Sequence, residues 1–181
     1  DVQIEPLFRF DGMWLNHAEA PLDDVKVRQA LNYATDKEAM LKSIFFEKVE
    51  IANHMMPKMK YWREDVAAYE YDPERAQSLI AESKAADGFT LPIVIPTGDV
   101  IIQQIAQIVK ESYSGIGVNV EITNLDIGTA YTNFSGFNYT AGANWYITSD
   151  VPGPDELAAI QFDFSAESGT KSFFTNYNSP R

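Results

Sequence analysis

The strongest constraint on the fold is a strand–helix–strand pattern in the middle of the chain. Residues 91–96 read LPIVIP, a short and almost wholly apolar run that is typical of a buried strand. Residues 99–114 place isoleucine and valine at helical spacing, and Gly115 follows at the predicted C-terminal end. The next run, GVNVEIT, alternates apolar and polar side chains as a half-exposed strand does. These short connections predict a βαβ unit with a right-handed crossover, and therefore an α/β domain with a central sheet flanked by helices.

Two further runs predict strands on either side of this unit. MWLNHA at residues 13–18 places Met13, Leu15 and His17 on one face and Trp14 and Asn16 on the other. FNYTAGANWYI at residues 137–147 also predicts a strand, in which Gly142 would let another backbone come close. Its alternation predicts one face formed by Phe137, Tyr139, Ala141, Ala143 and Trp145, and an opposite face that includes Asn138, Asn144 and Tyr146.

Helix starts are indicated by acidic capping residues. Asp23 is the expected N-cap of a first helix, and Thr35 or Asp36 is expected to cap a second helix that runs to residue 46. Asp72 followed by Pro73 predicts the start of a third helix. A short helix is expected after Pro154.

Size and charge limit the possible functions. The chain has 181 residues, the usual size of one domain, and a formal net charge of −12. This acidic balance argues against a nucleic-acid or anionic-membrane partner, because both require a basic surface. No apolar run reaches the roughly 20 residues that span a bilayer. The first residue is not Met, so we expect that the natural start lies upstream.

The sequence offers little for catalysis. It has no cysteine and only two histidines, with no activated serine motif and no Gly-rich phosphate loop, so we predict a non-enzymatic protein without a cofactor. His54 lies beside Met55, Met56 and Met59, which are soft ligands suited to copper(I). Thioethers that pack over the core from a loop are the favoured interpretation, and we predict no metal site.

One carboxylate stands at an unusual place. In NWYITSDVPGPDELAAIQFD, an aromatic strand-like run ends at Asp150, and Pro152, Gly153 and Pro154 force the chain to turn. Local pattern alone favours a turn residue for Asp150 and core packing for the aromatic residues before it. A charge displayed to a ligand is the alternative.

Four sequence motifs that follow one another along the chain favour the ligand interpretation of Asp150. The runs APLDDVKVRQALNYATDKEAML, YDPERAQSLIAES, FTLPIVIP with IAQIVKESYSGIGVNVEI, and NWYITSDVPGPDELAAIQF resemble the family 5 extracellular solute-binding proteins. These are the oligopeptide-, dipeptide- and nickel-binding receptors of bacterial ABC importers. The resemblance extends from about Trp14 to Pro180.

The resemblance implies a single lobe of a two-lobed, periplasmic-binding-protein-like fold. Residues 1–181 would form the C-terminal ligand-binding lobe, with the N-terminal lobe absent, and closure would be a hinge motion around bound solute. The implied function is to bind a peptide or peptide-like solute and deliver it to the membrane permease of the importer. The implied location is the periplasm, or the outer surface of a Gram-positive cell through a lipid anchor.

The resemblance also implies a site. The aspartate that matches Asp150 holds the α-ammonium of a bound peptide in the family, and Trp145, Tyr146 and Asn144 would line the cleft. A desolvated ammonium–carboxylate pair makes strong charge-assisted hydrogen bonds and discriminates against N-blocked ligands. Nickel is disfavoured, since no histidine lies near Asp150 in the sequence. Oligosaccharide binding, with Trp145 stacked on a pyranose ring, and an enzyme or regulator built on the same fold remain alternatives.

Two departures from the family pattern bear on the ligand. Trp145 lies five residues before Asp150, a wider gap than in the peptide-binding members. Dipeptide-selective members carry an arginine directly after the strand that matches residues 91–96, where this chain has Thr97, Gly98 and Asp99. A longer peptide, an opine-like conjugate or a more cationic ligand is therefore favoured over a dipeptide, and Asp99 is expected to cap a helix.

Overall fold

A computed structural model of the chain describes residues 9–51 and 68–147, with side chains for 11–51 and 68–143. None of the helices in these ranges has the length and apolar character needed to cross a membrane. The elements, in chain order, are β1 (Arg9–Leu15), α1 (Val25–Ala34), α2 (Lys37–Ser43), α3 (Pro73–Ala81), β2 (Phe89–Pro96), α4 (Val100–Ser114), β3 (Val118–Leu125), α5 (Ile127–Ser135) and β4 (Ala141–Ile147).

The described strands form one mixed sheet in the order β1-β4-β2-β3. The predicted βαβ unit is confirmed: β2 and β3 pair in parallel, from Phe89 opposite Val118 to Pro96 opposite Leu125, and α4 connects them. β4 lies between β1 and β2, antiparallel to the first and parallel to the second. Three strands therefore point their carboxyl ends toward the same edge of the sheet.

The main hydrophobic core includes α1, α3 and α4 together with the inward side chains of the sheet. Leu91, Ile93 and Ile95 alternate along β2 and all belong to this core, as the period of a strand requires. Ala141 and Ala143 of β4 also lie in it. Each fully buried leucine, isoleucine or valine side chain contributes about 1.5–3 kcal/mol, so this core carries much of the stability of the domain.

A second, smaller cluster contains Trp14, Ala130, Phe134 and Tyr139. Val94 packs against it, and since Val94 alternates with the main-core residues of β2, this cluster lies on the other face of the sheet. A Cβ atom at Gly142 would lie 2.9 Å from Cζ of Phe134. The glycine thus admits the Phe134 ring against β4, and the backbone of β2 also comes close as predicted, since the carbonyl oxygen of Val94 would lie 3.3 Å from that Cβ atom.

The helix caps follow the sequence with one correction. Asp72 and Asp99 cap α3 and α4 as predicted, and Asp36 caps α2. The prediction for Asp23 was wrong, because α1 begins at Val25 and the preceding residue, Asp24, accepts a hydrogen bond from the backbone N–H of Lys26 at 2.9 Å. Asp23 instead pairs with Lys84, with 2.6 Å between Oδ2 and Nζ.

The last predicted strand is shorter than expected. β4 begins at Ala141, and Phe137 lies in a turn with φ of 57°. Tyr139 therefore packs in the second cluster, on the opposite face from Ala141 and Ala143, and the prediction that Tyr139 shares their face was wrong. The preceding helix, α5, was not predicted. The second helix also ends early, at Ser43 instead of residue 46.

Partial burial of His17 predicts that the stability of the folded protein depends on pH. Burial and the nearby positive charge of Arg28 lower the pKa of His17 from 6.5 to about 4, so the folded protein favours the neutral imidazole. The unfolded chain binds more protons between these two values, so stability should fall as the pH drops from 6.5 to 4. Urea denaturation across this range should show a shallower pH dependence for His17→Gln than for the wild type. The same pH dependence of stability in both proteins would contradict the lowered pKa of His17.

Candidate functional site

The carboxyl edge of the parallel strands is the natural place for a ligand. In open α/β sheets, ligands bind in the crevice outside the carboxyl ends of the strands. β2 and β3 end together, since Pro96 pairs with Leu125. β4 pairs Ala141 with Ile93, and continuing this register brings Asn144 level with Pro96. Residues 145–147 of β4 therefore extend past the end of β2.

The predicted site residues follow one another along this extension. On the opposite side of β4, the backbone of β1 pairs Gly12 with Asn144, Asp11 with Trp145 and Phe10 with Tyr146. The structure thus places Asn144, Trp145 and Tyr146 at the carboxyl edge, but their side chains lie outside the described residues. Asp150, three positions after the last residue of β4, also lies outside them.

Hydrogen bonds join the two connections that leave β2 and β3 at this edge. Both the backbone N–H and the hydroxyl of Thr97 donate to the carbonyl of Leu125, at 2.7 and 3.1 Å. Gly98 follows with φ of 94°, a left-handed conformation that glycine adopts without strain. Asp99 accepts a hydrogen bond from the N–H of Ile102 at 3.1 Å, which confirms its predicted role as a helix cap.

A second cap lies beside the first. Asp126 accepts from the N–H of Thr129 at 3.0 Å and begins α5. Hydrogen bonds from the side chain and backbone of Thr129 lower the pKa of Asp126. Both capping carboxylates at this edge are therefore held by the helices that they start, and the connecting residues 97–99 and 126 include no basic side chain.

A cavity of about 300 Å³ opens between α4 and the ends of β2 and β3. Its lining combines two isoleucines with polar, uncharged side chains: Ile95, Thr97, Gln103, Gln107, Ile122 and Asn124. The sequence analysis did not identify it. Gln103 and Gln107 are one helical turn apart, and this i, i+4 spacing of two glutamines was the available signal.

Metal ligands are not gathered in the part of the chain that the structure describes. Within residues 9–51 and 68–147, no group of three or more His, Asp or Glu side chains is placed to hold a metal ion. His54 and the neighbouring methionines lie outside the described residues, as does the short helix expected after Pro154.

Comparison of the sequence with known proteins identifies one family. Residues 1–167 match the model of the bacterial extracellular solute-binding proteins, family 5 Middle. The chain is 32% identical over 158 residues to the dipeptide-binding protein of Escherichia coli (strain K12), covering 83% of this chain and 29% of that protein. It is 30% identical over 122 residues to the glutathione-binding protein GsiB of Pectobacterium atrosepticum, covering 67% of this chain and 24% of the relative.

The fold is also shared with solved structures. The oligopeptide-binding protein AppA from Bacillus subtilis, solved with a nonapeptide, superimposes with a TM-score of 0.82 at 19% identity, covering 97% of this chain and 37% of that one. The chain thus spans less than a third of the two curated relatives and little more than a third of AppA. The predicted α/β class and its periplasmic-binding-protein-like architecture are confirmed. The order of motifs, the sheet and the family match agree, and the chain belongs to family 5 of the bacterial extracellular solute-binding proteins.

Proposed function

We propose that this chain is the C-terminal lobe of the substrate-binding component of an ABC importer, and that it binds a peptide or peptide-like solute without chemical conversion. The observation that carries the proposal is the position of β4. This strand ends at the carboxyl edge of the sheet, beyond the end of β2, and Asp150 follows three residues later in the sequence. A carboxylate at this edge can pair with the α-ammonium of a peptide.

The comparisons support a peptide-like ligand. The dipeptide- and glutathione-binding relatives and the nonapeptide-bound AppA are named for ligands that contain peptide bonds. Neutral amide side chains line the cavity at the same edge, which suits recognition of peptide groups. In this proposal Trp145, Tyr146 and Asn144 line the cleft beside the ammonium site.

The remaining parts of the proposal concern the whole receptor. A second, N-terminal lobe would close over the ligand, and the closed form would deliver it to the permease of the importer. The receptor would act in the periplasm, or on the outer surface of the cell through a lipid anchor. The family description, extracellular solute binding, supports these assignments.

Removing the charge of Asp150 is the direct test. In the intact two-lobed receptor, Asp150→Asn should weaken binding of a peptide with a free amino terminus by about 2 kcal/mol or more, because the ammonium loses its oppositely charged partner. Isothermal titration calorimetry with tetraalanine measures the effect. N-acetyl-tetraalanine should bind the wild type comparably weakly, since it lacks the positive charge.

A matched variant controls for the change in net charge. Asp87→Asn removes one negative charge from an exposed residue directly before Gly88 and the start of β2, at the opposite edge of the sheet. It should leave the affinity for tetraalanine unchanged. Equal affinities of Asp150→Asn and the wild type would exclude Asp150 from the site. A preference for oligosaccharides over peptides would instead favour the sugar-binding alternative.

A further inference from the structure

We propose that Lys37 is a site of covalent acylation, at which the side-chain amine accepts an acyl group from a small acyl phosphate. The inference goes beyond the proposed function and does not depend on the bound solute. It concerns the junction at which the end of α1, the start of α2 and residues 69–72 come together.

Contacts at this junction hold Lys37 partly away from water. Lys37 is the first residue of α2 and is half-buried, and its Nζ atom donates to the carbonyl of Tyr69 at 3.3 Å. The ring of Tyr69 meets that of Tyr33 edge-on, with 5.0 Å between centroids. The backbone N–H of Asp72 donates to the carbonyl of Tyr33 at 2.9 Å. Residues 69–72 are therefore fixed against the end of α1, and Lys37 is bonded to the same segment.

The acidic side chains of the junction are engaged elsewhere. The titratable groups on its three segments, besides Lys37, are Tyr33, Asp36, Glu38, Tyr69, Glu70, Tyr71 and Asp72. Asp36 and Asp72 cap α2 and α3, and each accepts a hydrogen bond from a backbone N–H at 2.8 Å. Glu38 lies 3.8 Å from Lys42, one turn later in α2. Among the described residues, no carboxylate forms an ion pair with Lys37.

This environment favours the nucleophilic form of the side chain. A lysine that loses water without gaining a carboxylate partner is less stable as the ammonium ion, and burial lowers the pKa of Lys37 from its ordinary value. The neutral amine is the form that attacks electrophiles. Lys26 and Lys84 differ in this respect, since each pairs with a carboxylate that stabilises the ammonium form.

Acyl transfer to Lys37 balances without a further reactant. The amine nitrogen attacks the carbonyl carbon of the acyl phosphate and forms the amide N–C bond. The C–O bond to phosphate breaks, phosphate leaves with the bonding electrons, and one amine proton passes to water. The product keeps an N–H that can donate to the carbonyl of Tyr69, so acylation removes a positive charge and preserves the contact.

Acetyl phosphate is the probe that tests this site. The intact receptor is treated with it at about pH 8, and acetylation is followed at each lysine by mass spectrometry. Lys37 should react about threefold or more faster than Lys48 and Lys110, which are both exposed. In concentrated urea the three rates should converge, because the difference belongs to the folded state. The selectivity should also decline toward about pH 11, where exposed lysines lose their protons.

Two tyrosine variants test whether the junction causes the selectivity. Tyr33→Ala removes the ring that packs on Tyr69, so the rate at Lys37 should fall toward that of Lys48. Tyr71→Ala is the matched control, since Tyr71 is 49% exposed in the same segment, and it should leave the rate at Lys37 unchanged. Circular dichroism checks that both variants are folded.

The wild-type measurement decides the proposal even if a variant fails to fold. A rate at Lys37 that equals or falls below the rates of Lys48 and Lys110 in the folded receptor would overturn it. Selectivity that persists in urea would also overturn it, because the cause would then lie in the neighbouring sequence. An unchanged rate in folded Tyr33→Ala would exclude the junction as the cause. None of these results depends on ligand binding, so the proposed function stands or fails separately.

Discussion

Replacing Phe134 by Ala is expected to lower the free energy of unfolding by about 3–5 kcal/mol, the usual cost of removing a buried aromatic ring. Phe134 is completely buried, and its ring meets that of Tyr139 edge-on with 5.1 Å between centroids. It is the largest fully buried side chain of the described residues. Its removal would open a void against Gly142, where the backbone of β4 has little freedom to collapse.

Urea denaturation followed by tryptophan fluorescence measures this effect, because Trp14 lies in the same cluster. Ile127→Ala provides the control on the same helix: Ile127 is 53% exposed, and its truncation should cost far less. Similar losses in the two variants would show that the second cluster contributes little to the stability of the lobe.

Replacing Asn16 by Ala should lower the free energy of unfolding by about 3 kcal/mol, since one buried and one partly buried carbonyl group would lose a hydrogen-bond donor. Asn16 is 1% exposed, and its side-chain amide donates to the carbonyls of Tyr139 and Phe137 at 2.9 and 3.2 Å. Its side-chain oxygen accepts from the N–H of Ala18 at 3.2 Å. One side chain thus joins the end of β1 to the turn that precedes β4.

Asn32→Ala serves as the matched control for this prediction. The side-chain amide of Asn32 donates to the carbonyl of Arg28, one turn earlier in the same helix, at 3.0 Å. This hydrogen bond is only partly buried. Its loss should change the midpoint of urea denaturation slightly, because water can replace the donor and Ala favours the helix. A larger loss for Asn32→Ala than for Asn16→Ala would contradict the structural role assigned to Asn16.

The βαβ unit could be predicted because its sequence patterns agree at every level. LPIVIP has the composition of a buried strand, Asp99 has the position of a cap, and the isoleucines of α4 have the spacing of a buried helical face. The exact cap of α1 was less certain from sequence, because Asp23 and Asp24 are adjacent and only the helix geometry selects one.

The region before β4 was harder to predict. Asp126 with Ala130 and Phe134 one turn apart could have revealed α5, but the many aromatic and β-branched residues nearby favour strand over helix locally. Residues 137–140 have the composition of a strand, yet they form a turn and an irregular connection to β4. The ring of Tyr139 packs against Phe134, and the side chain of Asn16 donates hydrogen bonds to this segment. Tertiary contacts, which no local window contains, decided this segment.

The candidate site also has one part that the sequence predicted and one part that it did not. Asp150 and its aromatic neighbours were chosen from motif order, and the sheet places the start of that segment at its carboxyl edge. The cavity was not predicted, because two glutamines one turn apart on a helix are also typical of a solvated surface. It arises only where α4, β2 and β3 come together.

The position of β4 inside the sheet has a consequence for how the domain is made. A nascent chain that has emerged only as far as β3 already exposes β1 and β2, but the strand that joins them, β4, has not yet emerged. Such an intermediate exposes two strand edges with unpaired backbone N–H and C=O groups, together with the apolar surface beneath them. Completion of the sheet therefore waits for residues 141–147, and long-range pairing of this kind slows the search for the native state.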